Sequence, residues 1–147
     1  MMVFLDYIGL GLSALFFMLA AICNALMDTL QFHWYKFRWN NDVDPQFWNP
    51  AISWKNKYID RDSKKGFRYK GIFGFLNNFL DTWHIAKMGM IFSSAFSVLF
   101  FPMAFKFCVF NSNFLNGLLW LAILGVCWNA PFNLFFETIF VKKEKDK

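Results

Sequence analysis

Asp81 and His84 stand three residues apart in the stretch DTWH, and Asp28 precedes His33 in MDTLQFH. These are the only two histidines, and each follows an Asn-x-x-x-Asp-Thr string: NALMDT at residues 24–29 and NNFLDT at residues 77–82. A carboxylate and an imidazole three apart on a helix share a face. Together they can move a proton or share a divalent metal ion. A set of Asp28, His33, Asp81 and His84, with no thiolate suitably spaced, suits zinc, manganese or iron better than copper(I). Such an ion would lower the pKa of a bound water, and Asp28, Asp81, His84 and Glu137 are the expected catalytic groups of a hydrolysis. His33 lies five residues after Asp28, about 140° away on an ideal helix, so the two meet only if the helix ends or bends between them. No HExxH and no His-x-His string reinforces the metal reading.

Two other readings compete with a metal or catalytic site. The same Asp and His residues suit interfacial positions paired with loop Lys and Arg, or a proton or ion path. Asn77 or Asn78 also suits a helix cap that puts Asp81 in the first turn.

The elements that must position these residues are legible from hydropathy. The chain has 147 residues, 57% hydrophobic and 22% aromatic, with 22 Phe and 7 Trp. A water-soluble domain this small cannot hide so much apolar surface. Tyr7–Met27, Met88–Phe105 and Phe107–Phe136 carry no charge over 21, 18 and 30 residues. A membrane-spanning helix needs roughly 20 apolar residues. The expected architecture is an all-α integral membrane protein, a single membrane domain over 1–147. Its transmembrane helices lie at about 5–28, 87–107 and 113–137. The N-terminal segment reads as an uncleaved helix rather than a signal peptide, since it lacks a basic leader region and a clear cleavage site.

Charge orients the spans. Nine of the 15 Lys and Arg residues lie between Lys36 and Lys70, and four more in the tail at 141–147. Lys106 stands alone on the opposite side. The positive-inside rule puts the loop at about 34–80 and the C-terminus in the cytoplasm, with the N-terminus outside. The net charge of +5 then faces anionic lipid and calls for no nucleic acid.

In the loop, YKFRW and FWNPAISWKNKY mix aromatic and basic residues, as chains do at the headgroup level. DVDP and WNP are turn signals. DRDSKKG at 60–66 is the expected exposed tip. GIFGFLNNFLDTWH suits a short interfacial helix leading into the second span.

With this topology the polar residues meet at one depth. Asn24 and Asp28 end the first span, Asp81 and His84 begin the second, and Asn129, Asn133 and Glu137 lie four apart near the end of the third. Asn24, Asn129 and Asn133 are expected as polar support, and Lys55, Lys57 and Lys87 as the holders of an anionic headgroup. Pro131 should kink the third span, freeing the carbonyl of Cys127 for a neighbouring Asn. Gly9, Gly11, Ser13 and Ala14 in the first span, and Gly89, Ser93, Ser94 and Ser97 in the second, permit close packing within the chain or between copies. Cys23, Cys108 and Cys127 read as free thiols.

Two functions follow. One is a metal-dependent hydrolase acting on a membrane lipid or lipid-linked substrate at the cytoplasmic face. The other is a non-enzymatic membrane subunit, assembly factor or oligomeric pore former, a homo-oligomer or a member of a membrane complex, in which the same residues are structural ion pairs. No phosphate loop, kinase, GxSxG, CxxC or EF-hand string is present.

Overall fold

Long apolar runs interrupted by one aromatic, basic loop dictate long helices joined by irregular chain. A computed structural model describes residues 2–104 and 113–142; side chains are described over 8–101 and 114–142. The long helices are Met2–Phe32, Thr82–Ala104 and Asn113–Asn133, the last running on as a π-helix over Leu134–Phe140. Three stretches are long and apolar enough to cross a membrane: Ile8–Phe32, Thr82–Phe101 and Phe114–Phe140, of 25, 20 and 27 residues. At about 1.5 Å per residue the shortest already reaches roughly the 30 Å of a hydrocarbon core. The described residues form no strand beyond two isolated bridges. Lys106, Cys108 and tail residues 143–147 lie outside the described residues.

Helix ends differ from the charge-based expectation. The first span does not stop at Asp28 but continues to Phe32, and Thr29 donates to the carbonyl of Ala25 at 2.8 Å. The second begins at Thr82 rather than near Lys87. A charged side chain does not by itself interrupt a helix, whose terminal backbone groups are what must find other partners.

The first span packs along the second and, less extensively, against the third. Small residues make the first contact close. Ala20, Ala21 and Ala25 are fully buried, and a Cβ built on Gly89 would lie 3.0 Å from Cys23 Sγ. Ser13 Oγ donates to the Ser97 carbonyl at 3.0 Å, and Ser97 Oγ returns a bond to the Ser13 carbonyl at 2.8 Å. In hydrocarbon such reciprocal bonds satisfy groups that have no water to turn to. Thus Ser13, Gly89 and Ser97 are used within this chain, whereas Gly11 has no neighbour within 4 Å of a Cβ. Phe16 stacks on Phe96 and Phe100, and Phe17 meets Trp128 of the third span at 5.2 Å.

The end of the third span is tied to the loop. Arg38 N–H donates to the Phe140 carbonyl and Lys142 N–H to the Lys36 carbonyl, both at 2.7 Å. Phe37, buried between these bonds, stacks on Trp34 and Trp48. The ends of the first and third spans and the start of the second therefore gather at the loop side of the bundle.

The loop folds as short turns. Asp44 and Asn49 cap the one-turn helices Pro45–Trp48 and Pro50–Ser53. Tyr58 stacks on Phe67 at 5.2 Å, closing the arm whose tip is 60–66. Gly66, at φ +80°, supplies the left-handed turn there. Lys65 donates to Asp60 at 2.8 Å and holds that carboxyl below its ordinary range. Gly71–Phe79 is a succession of tight 3-10 turns that leaves Ile72, Phe73, Phe75 and Phe79 exposed.

Candidate functional site

The second span begins at the site. Asp81 is 1% exposed. Its Oδ1 accepts from the His84 backbone N–H at 2.9 Å, the bond of an N-cap to the third helical residue. Its Oδ2 lies 2.7 Å from His84 Nδ1. A carboxylate can only accept, so Nδ1 carries the proton and Nε2 is the nitrogen left for exchange. One carboxylate thus starts the helix and fixes the imidazole. Asp81, and neither Asn77 nor Asn78, is the cap. Asn77 instead binds the backbone of Tyr69 in both directions, accepting from its N–H at 3.2 Å and donating to its carbonyl at 2.8 Å.

Asn56 holds the approach to Asp81 in place. Its amide donates to the carbonyls of Gln46 at 2.8 Å and Leu80 at 2.9 Å, and its Oδ1 accepts from Gln46 Nε2 at 2.7 Å. Leu80 is the residue before Asp81, so the SWKNKY segment positions the dyad from the loop side.

Two cavities flank His84. One is an open cleft of about 490 Å³ bordered by His84, Lys57, Lys70, Tyr69, Phe67 and Asn78 among others. The other, about 150 Å³, is bordered by Gln31, Pro50, Ser53, Trp54, Asp81, Trp83 and His84. The first pairs two cations with aromatic walls. The second is mostly apolar, with Gln31, Ser53, Asp81 and His84 as its polar members.

The sequence-derived site is assembled only in part. Asp81 and His84 meet. His33 lies against the third span, its ring edge-on to Phe136 at 5.3 Å, and is near enough to Asp28 to act on its charge. Asp28 and Asn24 stay half-buried on the first span, with no side-chain hydrogen bond among the described residues. Among the described residues no three His, Cys, Asp or Glu side chains form a metal-ligating group, so the set Asp28, His33, Asp81 and His84 is not brought together as one. The four-residue spacing of Asn129, Asn133 and Glu137 does place them on one face, but that face is exposed. Asn129 donates to the Gly125 carbonyl at 2.8 Å, its own helix rather than the carbonyl freed by Pro131.

Of the expected headgroup lysines, Lys57 borders the open cleft. Lys55 lies over the Trp54 ring at 5.8 Å and Lys87 over Trp83 at 5.3 Å, and neither borders the cleft. Lys70 does. Ser53, Asn56, Lys70 and Gln31 were not singled out by sequence reasoning. The signal available for the first two was the SWKNKY string itself, where an Asn amid Lys, Trp and Tyr has no interfacial role of its own. Comparison with protein-family models, curated proteins and solved structures gives no match to this chain.

Proposed function

We propose that this membrane protein hydrolyses an anionic lipid or lipid-linked substrate at the cytoplasmic face, with the loop and C-terminus inside and the N-terminus outside. The single observation that carries the reading is the buried Asp81 clamping His84 on the wall of a cleft that also bears Lys57 and Lys70. His84 Nε2 is the general base and Asp81 holds the ring and balances the positive charge that forms on it. Lys57 and Lys70 receive the anionic group, with Tyr69 and Phe67 beside it. The exposed apolar row Ile72, Phe73, Phe75 and Phe79 enters the membrane surface and brings the cleft to the level where a lipid headgroup lies. The reading needs no metal ion.

The test is turnover. Purified protein in nanodiscs is incubated with defined anionic and zwitterionic lipids, and products are followed by mass spectrometry. Cleavage of an anionic class, lost in His84→Asn, is expected; every lipid left intact by the wild-type protein overturns the proposal. Accessibility of a Ser63→Cys thiol to an impermeant reagent only after cells are opened is the expected result for the orientation.

The second reading, a non-enzymatic subunit or homo-oligomer, draws on the third span. Leu115, Leu118, Leu121 and Val126 are all exposed there. Lipid covers such a surface as readily as protein does. A defined oligomer in crosslinking, together with no lipid turnover, would favour it.

A further inference from the structure

Resting on the proposed role of His84 as a base, the geometry points to Ser53 as the nucleophile of a Ser–His–Asp constellation that cleaves a carboxylic ester of an anionic lipid. Ser53 ends the Pro50–Ser53 turn and is 0% exposed. Its Oγ has no hydrogen-bond partner among the described residues. A buried hydroxyl left unpaired has lost its water and gained nothing, so it calls for a ligand or a catalytic task. Thr82 Oγ1 and Trp120 Nε1 share that condition, but neither residue borders the two cavities at His84.

Ser53 does border one. It stands with Asp81 and His84 on the wall of the 150 Å³ cavity. Asp81 occupies Nδ1, which leaves Nε2 to take a proton. Carboxylate, imidazole and hydroxyl, the three groups of a hydrolytic relay, thus stand on the wall of one cavity. No hydrogen bond joins Ser53 to His84, and such contacts commonly tighten only with substrate bound.

The two cavities divide the substrate. The headgroup lies in the cleft with Lys57 and Lys70. The ester reaches past His84 to Ser53, its acyl part against Pro50, Trp54 and Trp83, and the Gln31 amide can donate to the carbonyl oxygen. Ser53 Oγ bonds to the ester carbonyl carbon as its proton passes to His84 Nε2. The C–O bond to the alcohol then breaks, and His84 returns that proton to the departing oxygen. Water cleaves the acyl–Ser53 ester, giving one proton back to Oγ through His84 and releasing the carboxylic acid.

The experiment uses an alkyl fluorophosphonate on the full-length protein in detergent, read by intact and tandem mass spectrometry, beside lipid turnover and melting temperature. One adduct per chain is expected, mapped to Ser53. It should be absent in Ser53→Ala and form about 100-fold more slowly or worse in His84→Asn. Ser53→Ala should melt no lower than wild type, since it removes an unpaired buried hydroxyl, while losing turnover. An adduct elsewhere, or none, overturns the assignment. So does a Ser53→Ala variant that turns over lipid normally while His84→Asn does not, an outcome that leaves the His84 base standing with water as nucleophile. A lowered melting temperature in Ser53→Ala, without labelling of the wild type, assigns Ser53 a structural part and also overturns it.

Discussion

Asp81 meets His84 twice, through the backbone N–H at 2.9 Å and through Nδ1 at 2.7 Å. The two bonds separate by mutation. In Asp81→Asn the amide oxygen still caps the helix, but the amide N–H₂ now donates to Nδ1 and reverses the imidazole tautomer. Turnover should fall about 100-fold or more, with melting within a few degrees of wild type. Asp81→Ala loses the cap as well, at about 1 kcal/mol. Melting curves and the ¹⁵N shifts of the His84 ring check both.

Anion preference should reside in Lys57 and Lys70. Lys57→Gln and Lys70→Gln should each weaken binding of a short-chain phosphatidylglycerol by about 1 kcal/mol. Lys55→Gln and Lys87→Gln should leave it unchanged, because neither residue borders the cleft. Titration of detergent-solubilised protein by calorimetry measures this.

Asn56 ties Gln46 and Leu80 together through three hydrogen bonds. Asn56→Ala should cost about 1–3 kcal/mol, since it strands partly buried carbonyls. The loss should appear also as a slower reaction of Ser53 with the fluorophosphonate, because the Asp81 approach loosens. An Asn56→Ala protein with wild-type melting and labelling would contradict this role.

The spans are joined at Ser13 and Ser97. Ser13→Ala and Ser97→Ala should each destabilise by about 0.6 kcal/mol, and at most about 1.7. The double variant should cost less than the two singles added, because the two hydroxyls also meet each other at 3.2 Å. About two helical turns away in the same contact, Gly89→Leu should separate the spans at Cys23, at about 1–3 kcal/mol. Cys23→Ala should relieve much of the cost of Gly89→Ala. Unfolding in mixed micelles reports each.

Acid should loosen the loop tip. The Asp60 carboxyl is held low by Lys65, so the contact is in place above the ordinary carboxylate range and is lost as pH falls through the lower folded value. The Ile59 N–H, which donates to the Gly66 carbonyl at 3.1 Å, should exchange faster below about pH 4, after correction for intrinsic rates. In Asp60→Asn that pH dependence should vanish.

Hydropathy alone determined the three long helices and the irregular loop between the first and second, because apolar runs of this length have one stable form in lipid. The DTWH spacing was enough to bring Asp81 and His84 together, as N-cap and third residue of one helix, and the 60–66 tip was legible from its charges and glycine. Spacing also put Asn129, Asn133 and Glu137 on one face, but which way a face turns depends on neighbouring helices and on the π-winding beyond Asn133.

Tertiary structure alone decided what stands next to the dyad. Ser53, Asn56 and Lys70 lie 28, 25 and 11 residues before Asp81 in the chain, so no local period links them to it. They reach it through turns capped by Asp44 and Asn49, an Asn77 bridge to Tyr69 and the Asn56 bonds to Leu80. The two caps are local bonds, whereas the Asn77–Tyr69 and Asn56–Leu80 bonds join stretches 8 and 24 residues apart. Hydropathy records how much of a segment avoids water, whereas these bonds record which backbone groups find one another once the segments are folded together.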